Sequence, residues 1–182
     1  MTERSNDHST VLSVSRLSVD FPLQRGVVHA VRNVSFELKR GRTLALVGEI
    51  GSGKSVSARS LIQLVESPGR IVAGQVQLLT GDTPVEITSL GPRSPQIRAI
   101  RGGRIGLIFQ EPMSALSPMH TIGDQIDEAI QLHLHVEKEE ARKRTIELMR
   151  QVEIPSPETM VDRYSFEYSG GMRQRICIAM AL

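Results

Sequence analysis

The sequence has one cysteine in 182 residues and almost no excess of charge of either sign. It also has no long uncharged apolar run. Each shortage closes off a class of protein. The lone Cys177 excludes an internal disulfide and any cysteine-rich zinc module, and it fits a reducing cytosol. It lies in the apolar run Ile176-Cys177-Ile178-Ala179, which predicts a buried structural thiol rather than a reactive one. No stretch approaches the ~18 uncharged apolar residues of a membrane-spanning helix. The opening Met1-Thr2-Glu3-Arg4-Ser5-Asn6-Asp7-His8 is polar, with no apolar signal core. Lys plus Arg number 22 and Asp plus Glu 20, a net charge of +2. So small an excess gives no argument for a nucleic-acid surface. The five histidines form no ligand pattern: His133 and His135 are two apart and face different ways on a helix. What remains is a cytosolic chain long enough for one core, or a core plus a smaller helical lobe.

Hydrophobic patterning is strand-like first and helical later. Leu12, Val14, Leu17, Val19 and Phe21 give a broken alternation, and Val34, Phe36 and Leu38 a clean one, so both stretches predict half-buried strands. Thr43-Leu44-Ala45-Leu46-Val47 and Arg104-Ile105-Gly106-Leu107-Ile108-Phe109 are nearly continuous apolar runs, which predict strands covered on both faces. Gly74–Leu79 is a further strand candidate. Ser55 to Val65 has helical spacing and stops before Pro68-Gly69. Thr80 to Pro95 is rich in turn residues and predicts loop. Beyond Glu111 come two helical stripes: Ile122, Ile126, Ala129 and Ile130, then Ala141, Leu148, Met149 and Val152. Pro155 and Pro157 interrupt the chain.

Between the first buried run and the first helix stands Gly48-Glu49-Ile50-Gly51-Ser52-Gly53-Lys54-Ser55. This is the pattern Gly, four residues, Gly, Lys, Ser. Glycines permit torsions that turn several backbone N–H groups inward as a cradle for anionic oxygens. The following helix adds the positive end of its dipole. Lys54 brings a full charge to β- and γ-phosphates, and the Ser55 hydroxyl is placed to ligate Mg²⁺. A chance match arises in about one chain of this length in a hundred. The strand before it and the helix after it supply the context the motif requires. No G-x-G-x-x-G with a later acidic residue is present, which argues against a dinucleotide-binding dehydrogenase.

Two later stretches narrow the reading. Gln110 ends the second buried run and is followed by Glu111-Pro112-Met113-Ser114-Ala115-Leu116. Tyr168-Ser169-Gly170-Gly171-Met172-Arg173-Gln174-Arg175 opens the last helix. With the phosphate loop, in this order and spacing, the chain from about Val11 to Leu182 resembles the ATP-binding subunits of ATP-binding cassette (ABC) transporters. Gln110 matches the family's Q-loop, and Ser169-Gly170-Gly171 its signature motif. Ser114-Ala115-Leu116-Ser117-Pro118, Thr121-Ile122-Gly123-Asp124-Gln125-Ile126 and Ala30-Val31-Arg32-Asn33-Val34-Ser35-Phe36 are similar to the importer group for dipeptides, oligopeptides, nickel and glutathione. Against the usual pattern of that group, Ile50 replaces Ser, Arg42 replaces Glu, Ser165-Phe166 replaces Pro-His and Tyr168 replaces Leu.

The resemblance implies an α/β phosphate-loop ATPase core with an antiparallel β subdomain and an inserted helical subdomain. It implies four segments: residues 1–10 as a tail, 11–110 as ATP-binding core, 111–168 as helical subdomain, and 169–182 as signature and following helix. ATP and Mg²⁺ are the implied cofactors. Residues 48–55 would bind ATP, Phe21 would stack on adenine, and Gln110 would sense Mg²⁺ and water. Ser169, Gly170, Gly171 and Met172 would close on ATP held by a second cassette. Ser55 and Gln110 are the implied metal contacts. The implied partners are that second ATPase subunit or domain, membrane permease subunits against the helical subdomain, and indirectly a substrate-binding protein. Nucleic acid is not among them, and the implied place is the inner face of the cell membrane. The family pattern continues past Leu182 with an Asp-Glu strand and a switch histidine, so the C-terminal part of the core is missing from this sequence. The 182-residue chain alone is therefore expected not to turn over ATP, since loss of a general base costs about 10²–10⁴ in rate. A non-catalytic nucleotide-binding remnant and a soluble cassette ATPase acting on nucleic acid are the alternatives.

Overall fold

The structure is a computed structural model and describes residues 10–81, 83–111 and 115–182. The expected polar tail therefore lies outside the described residues except for Thr10, as do Pro112, Met113 and Ser114. The chain divides into two compact units, residues 1–98 and 99–182.

The first unit is built on an antiparallel sheet ordered β2-β1-β3-β4. Strands β1 (Thr10–Leu23) and β2 (Gly26–Lys39) form a long hairpin around Gln24-Arg25. Strands β3 (Arg70–Leu78) and the short β4 (Val85–Glu86) complete it. The broken alternation of β1 has a physical cause. Leu12 and Val14 are buried, then Leu17 and Val19, and the phase slips by one where Arg16 adopts a left-handed φ of 50°. The register shifts at this level against both neighbours. Such a bulge inserts one residue and flips the face that follows. Gly74 on β3 has φ 93°, and a Cβ there would lie 2.5 Å from the Arg16 carbonyl. Only glycine accommodates that approach.

Helix α1 spans Lys54–Ser60, shorter than its apolar spacing predicts. Gln63 turns left-handed (φ 54°), and its side-chain amide donates to the carbonyls of Ile87 and Leu90, both at 2.5 Å. Those tertiary hydrogen bonds end the helix before its stripe runs out. The run at 43–47 is not in the sheet, and Leu44, Leu46 and Val47 are 47%, 46% and 89% exposed. A two-faced strand exists only with ladder partners on its edges, and among the described residues this run pairs with none.

Helix α2 (Pro95–Ile100) leads out of the first unit. In the second, among the described residues, the run at 104–109 joins one isolated parallel bridge, Ile105 with Arg101. Ile108 and Phe109 are exposed there. The helices of this unit are α3 (Ile122–Leu134), α4 (Lys138–Gln151), the single turn α5 (Pro157–Met160) and α6 (Gly170–Ala179). Both sequence stripes face one core, which includes Ile122, Ile126, Ile130, Ala141, Met149, Ile154, Tyr168, Ile176 and Cys177. Thr121 caps α3 by accepting from the Asp124 N–H, and His135 closes it in a left-handed turn (φ 52°). Gly123 is required by packing, because a Cβ would stand 2.6 Å from Val161 Cγ2 and 2.8 Å from its carbonyl. Among the described residues no helix is long and apolar enough to cross a membrane.

Candidate nucleotide-binding site

Residues 48–55 form an open loop leading into α1. Gly51 and Gly53 have φ of 82° and 89°, the left-handed region that side chains resist. Gly53 is doubly constrained, since a Cβ there would lie 2.1 Å from the Ala30 carbonyl oxygen on β2. The hairpin therefore braces the base of the loop. Lys54 folds back over it: Nζ donates to the Gly48 and Glu49 carbonyls at 2.7 and 2.6 Å, and to Ser52 Oγ at 3.3 Å. The ammonium thus sits among oxygens that its own loop provides, at the position where phosphate oxygens would compete for it. Ser55, one residue further, is exposed. Its hydroxyl is a hard oxygen donor and fits Mg²⁺, an ion that fills most of its shell with phosphate oxygens and water. Ile50 projects fully into solvent at the loop tip.

Phe21 pairs with Val28 across the hairpin and is half-buried. Its ring packs on Gly69, where a Cβ would meet ring carbons at 2.5 and 2.6 Å. Gly69 thus leaves the space that this ring fills.

In the second unit, Gln110 is exposed at a bend. The last helix begins at a capped turn: Ser169 is extended (φ −64°, ψ 162°) and its Oγ accepts from the Met172 N–H at 3.3 Å. Gly170 and Gly171 are exposed, and added Cβ atoms would meet nothing within 4 Å. The backbone of this first turn therefore faces open space, ready to donate hydrogen bonds to an anion. Support comes from beneath. Tyr168 is buried and its Oη donates to the Met160 carbonyl at 2.5 Å, with burial pushing its pKa up to about 12. Cys177 is buried too, and desolvation raises its thiol pKa, which keeps it an inert packing group.

Three features escaped the sequence reading. Arg173 and Arg175, next to a phosphate-type turn, both donate to backbone carbonyls, those of Ser165 and Phe166 and those of Val152 and Glu153. Asp127 is buried in the lobe, where Thr145 Oγ1 donates to Oδ1 at 2.5 Å. Its Oδ2 stands 3.0 Å from Arg142 Nε, outside hydrogen-bond geometry. Arg142 also pairs with Asp124 and Asp162.

A protein-family model described as "ABC transporter" matches residues 31–182. Curated relatives include the glutathione import ATP-binding protein GsiA of Shigella flexneri serotype 5b (strain 8401), 45% identical over 176 residues. The protein of the same name from Escherichia coli (strain K12) is 44% identical. Each alignment covers 97% of this chain and 28% of the relative, so the chain spans little more than a quarter of these proteins. Among solved structures, the dimeric post-hydrolysis state of the ATP-binding cassette MJ0796 bound to ADP and Pi has a TM-score of 0.81 at 23% identity, covering 94% of this chain and 68% of that one. That likeness shows the fold, a mixed α/β cassette core carrying an antiparallel sheet and helices.

Proposed function

The chain belongs to the ABC transporter family, and on that premise we propose that it is the ATP-binding motor domain of an importer for glutathione, peptides or similar small solutes. The observation that carries the reading is the loop at 48–55, where two left-handed glycines and the Lys54 ammonium come together. Residues 48–55 hold the phosphates, Phe21 flanks the adenine, and the Ser55 hydroxyl would hold Mg²⁺. When bound, Mg²⁺ neutralises charge on the β- and γ-phosphates. Lys54 exchanges its loop carbonyls for phosphate oxygens. The open turn at Ser169–Met172 receives the ATP of a second cassette, and the helices of residues 111–168 contact membrane permease subunits. The assembly works at the inner face of the cell membrane, with a substrate-binding protein acting indirectly. The glutathione importers among the relatives support the cargo class.

None of the matched motifs supplies a general base, so the 182-residue chain in isolation binds ATP without turning it over. Equilibrium titration with a fluorescent ATP analogue and Mg²⁺ tests the site. Saturable binding competed by ATP and not by AMP is expected, and binding that ATP fails to displace would overturn the proposal. Uptake of labelled glutathione and dipeptides, in source cells with and without the gene, tests the cargo class.

A further inference from the structure

The two arginines beside the signature turn invite a simple reading as phosphate ligands. Their contacts point elsewhere, and differently from one another. Arg173 donates through Nε to the Ser165 carbonyl at 2.7 Å, only eight residues away in the same approach to α6. It travels with the turn. Arg175 reaches across 22 and 23 residues: Nη1 donates to the Val152 carbonyl at 3.0 Å and the Glu153 carbonyl at 3.1 Å, and pairs with Glu153 Oε2 at 2.8 Å. Those carbonyls lie just past the end of α4, where Glu153 turns left-handed (φ 58°) and the helix has run out of its own donors. Glu153 also neutralises the guanidinium there.

Ile176 and Cys177 bury the middle of α6 in the lobe core. Apolar packing of that kind is non-directional. Hydrogen bonds from a planar guanidinium to fixed carbonyls are directional. Arg175 stands five residues after Gly170, about 7.5 Å along the axis at ~1.5 Å per residue. A small tilt of α6 about its buried middle therefore swings the exposed turn at Ser169–Gly171.

We propose that Arg175 is a positioning residue for ATP turnover, one that holds the direction of the signature turn by tying α6 to the C-terminal end of α4, with Glu153 as its counter-ion. The proposal rests on the motor reading above. It assigns Arg175 no contact with phosphate.

The test uses the native assembly isolated from the source cells, carrying Arg175→Ala, Arg175→Lys or Glu153→Ala. In Arg175→Ala, kcat falls about 10- to 100-fold, as for other misplacements of order 1 Å, while KM for ATP stays within about twofold. Arg175→Lys recovers part of kcat, because an ammonium reaches one carbonyl and lacks the fork. Glu153→Ala gives an intermediate loss. Amide exchange in Arg175→Ala rises in two segments only, around 150–154 and 173–177. A KM that rises with kcat unchanged would make Arg175 a phosphate ligand and overturn the proposal. So would equal kcat in all variants, or loss of protection throughout the lobe in both Ala and Lys variants. Wild-type assembly without ATP turnover would defeat the motor reading instead. Amide exchange then decides alone, and unchanged protection in Arg175→Ala would remove the anchor.

Discussion

Helices α1 and α6 both begin in glycine-containing turns, yet only the first brings a cation to its mouth. At residues 48–55 Gly51 and Gly53 are left-handed, the loop is braced by the Ala30 carbonyl, and Lys54 donates to the Gly48 and Glu49 carbonyls. At 169–171 the turn is held by a serine cap, both glycines face open space, and the nearby arginines point to backbone carbonyls. The first turn suits capture of a polyanion by itself. The second offers N–H groups but no free charge, which suits a surface that adds to a phosphate already held elsewhere. The same asymmetry runs through the composition: residues 1–98 carry more basic than acidic side chains, and residues 99–182 the reverse.

The sharpest way to break this contrast is to remove the cation. Lys54→Ala deletes charge-assisted hydrogen bonds to phosphate, each worth about 1.5–3 kcal/mol. ATP binding, followed by equilibrium titration of the 182-residue chain, should weaken about 10- to 100-fold by that measure. Titration of Ser169→Ala under the same conditions should match wild type. Equal losses in both variants would mean that the two turns serve one nucleotide within one chain, and the proposed division of labour would fall.

A smaller effect separates glycines needed for packing from glycines needed for access. Gly123→Ala drives a Cβ into Val161 and the end of Arg142, and overpacking of this kind costs about 1–3 kcal/mol. Thermal unfolding should register it with nucleotide affinity unchanged. Gly171→Ala meets no atom within 4 Å, so it should leave stability equal or raised by about 0.4–1 kcal/mol through the unfolded chain. In the native assembly it should still slow turnover by crowding the open face. A destabilised Gly171→Ala chain would show that the turn is packed, not open. Ser169→Ala lies between these, with about 1 kcal/mol lost from the cap in the same melts.

How far the sequence carried the fold depended on whether its signals were local. The phosphate loop, the bulged strand and the two helical stripes each follow from spacing within a dozen residues, and each formed where its pattern stood. The broken alternation at Leu12–Phe21 even marks the bulge at Arg16. The two apolar runs at 43–47 and 104–109 failed as strands because a strand is a relation between segments, and hydropathy records only one side of it. Helix α1 ended early for a related reason: the amide of Gln63 finds carbonyls 24 and 27 residues away. In the candidate site, residues 48–55 and 169–172 were legible from motif. The bracing carbonyl of Ala30 and the anchor at Arg175 were not, since backbone acceptors leave no mark in residue type.

The smallest effect concerns Asp127, which sharpens the contrast from the acidic side. Burial raises its pKa above the ordinary 3.8, outweighing the Thr145 hydrogen bond and the Arg142 charge that pull it down. Asp124 adds to the rise and Lys138 opposes it. A carboxyl whose folded pKa is raised binds its proton more tightly in the native state. Its ionisation therefore costs stability, and the sign is opposite to that of a salt-bridged surface acid. Below the unfolded pKa the cost is absent. It grows as pH rises from there to the folded value, and then stays constant. Asp127→Asn keeps an oxygen for Thr145 and removes the titration, while Arg142 retains Asp124 and Asp162. Chemical denaturation followed upward in pH from the ordinary carboxylate pKa should show wild type losing ground to Asp127→Asn as pH rises. The opposite slope would mean that Arg142 dominates the site, and that the lobe gains from this buried charge instead of tolerating it.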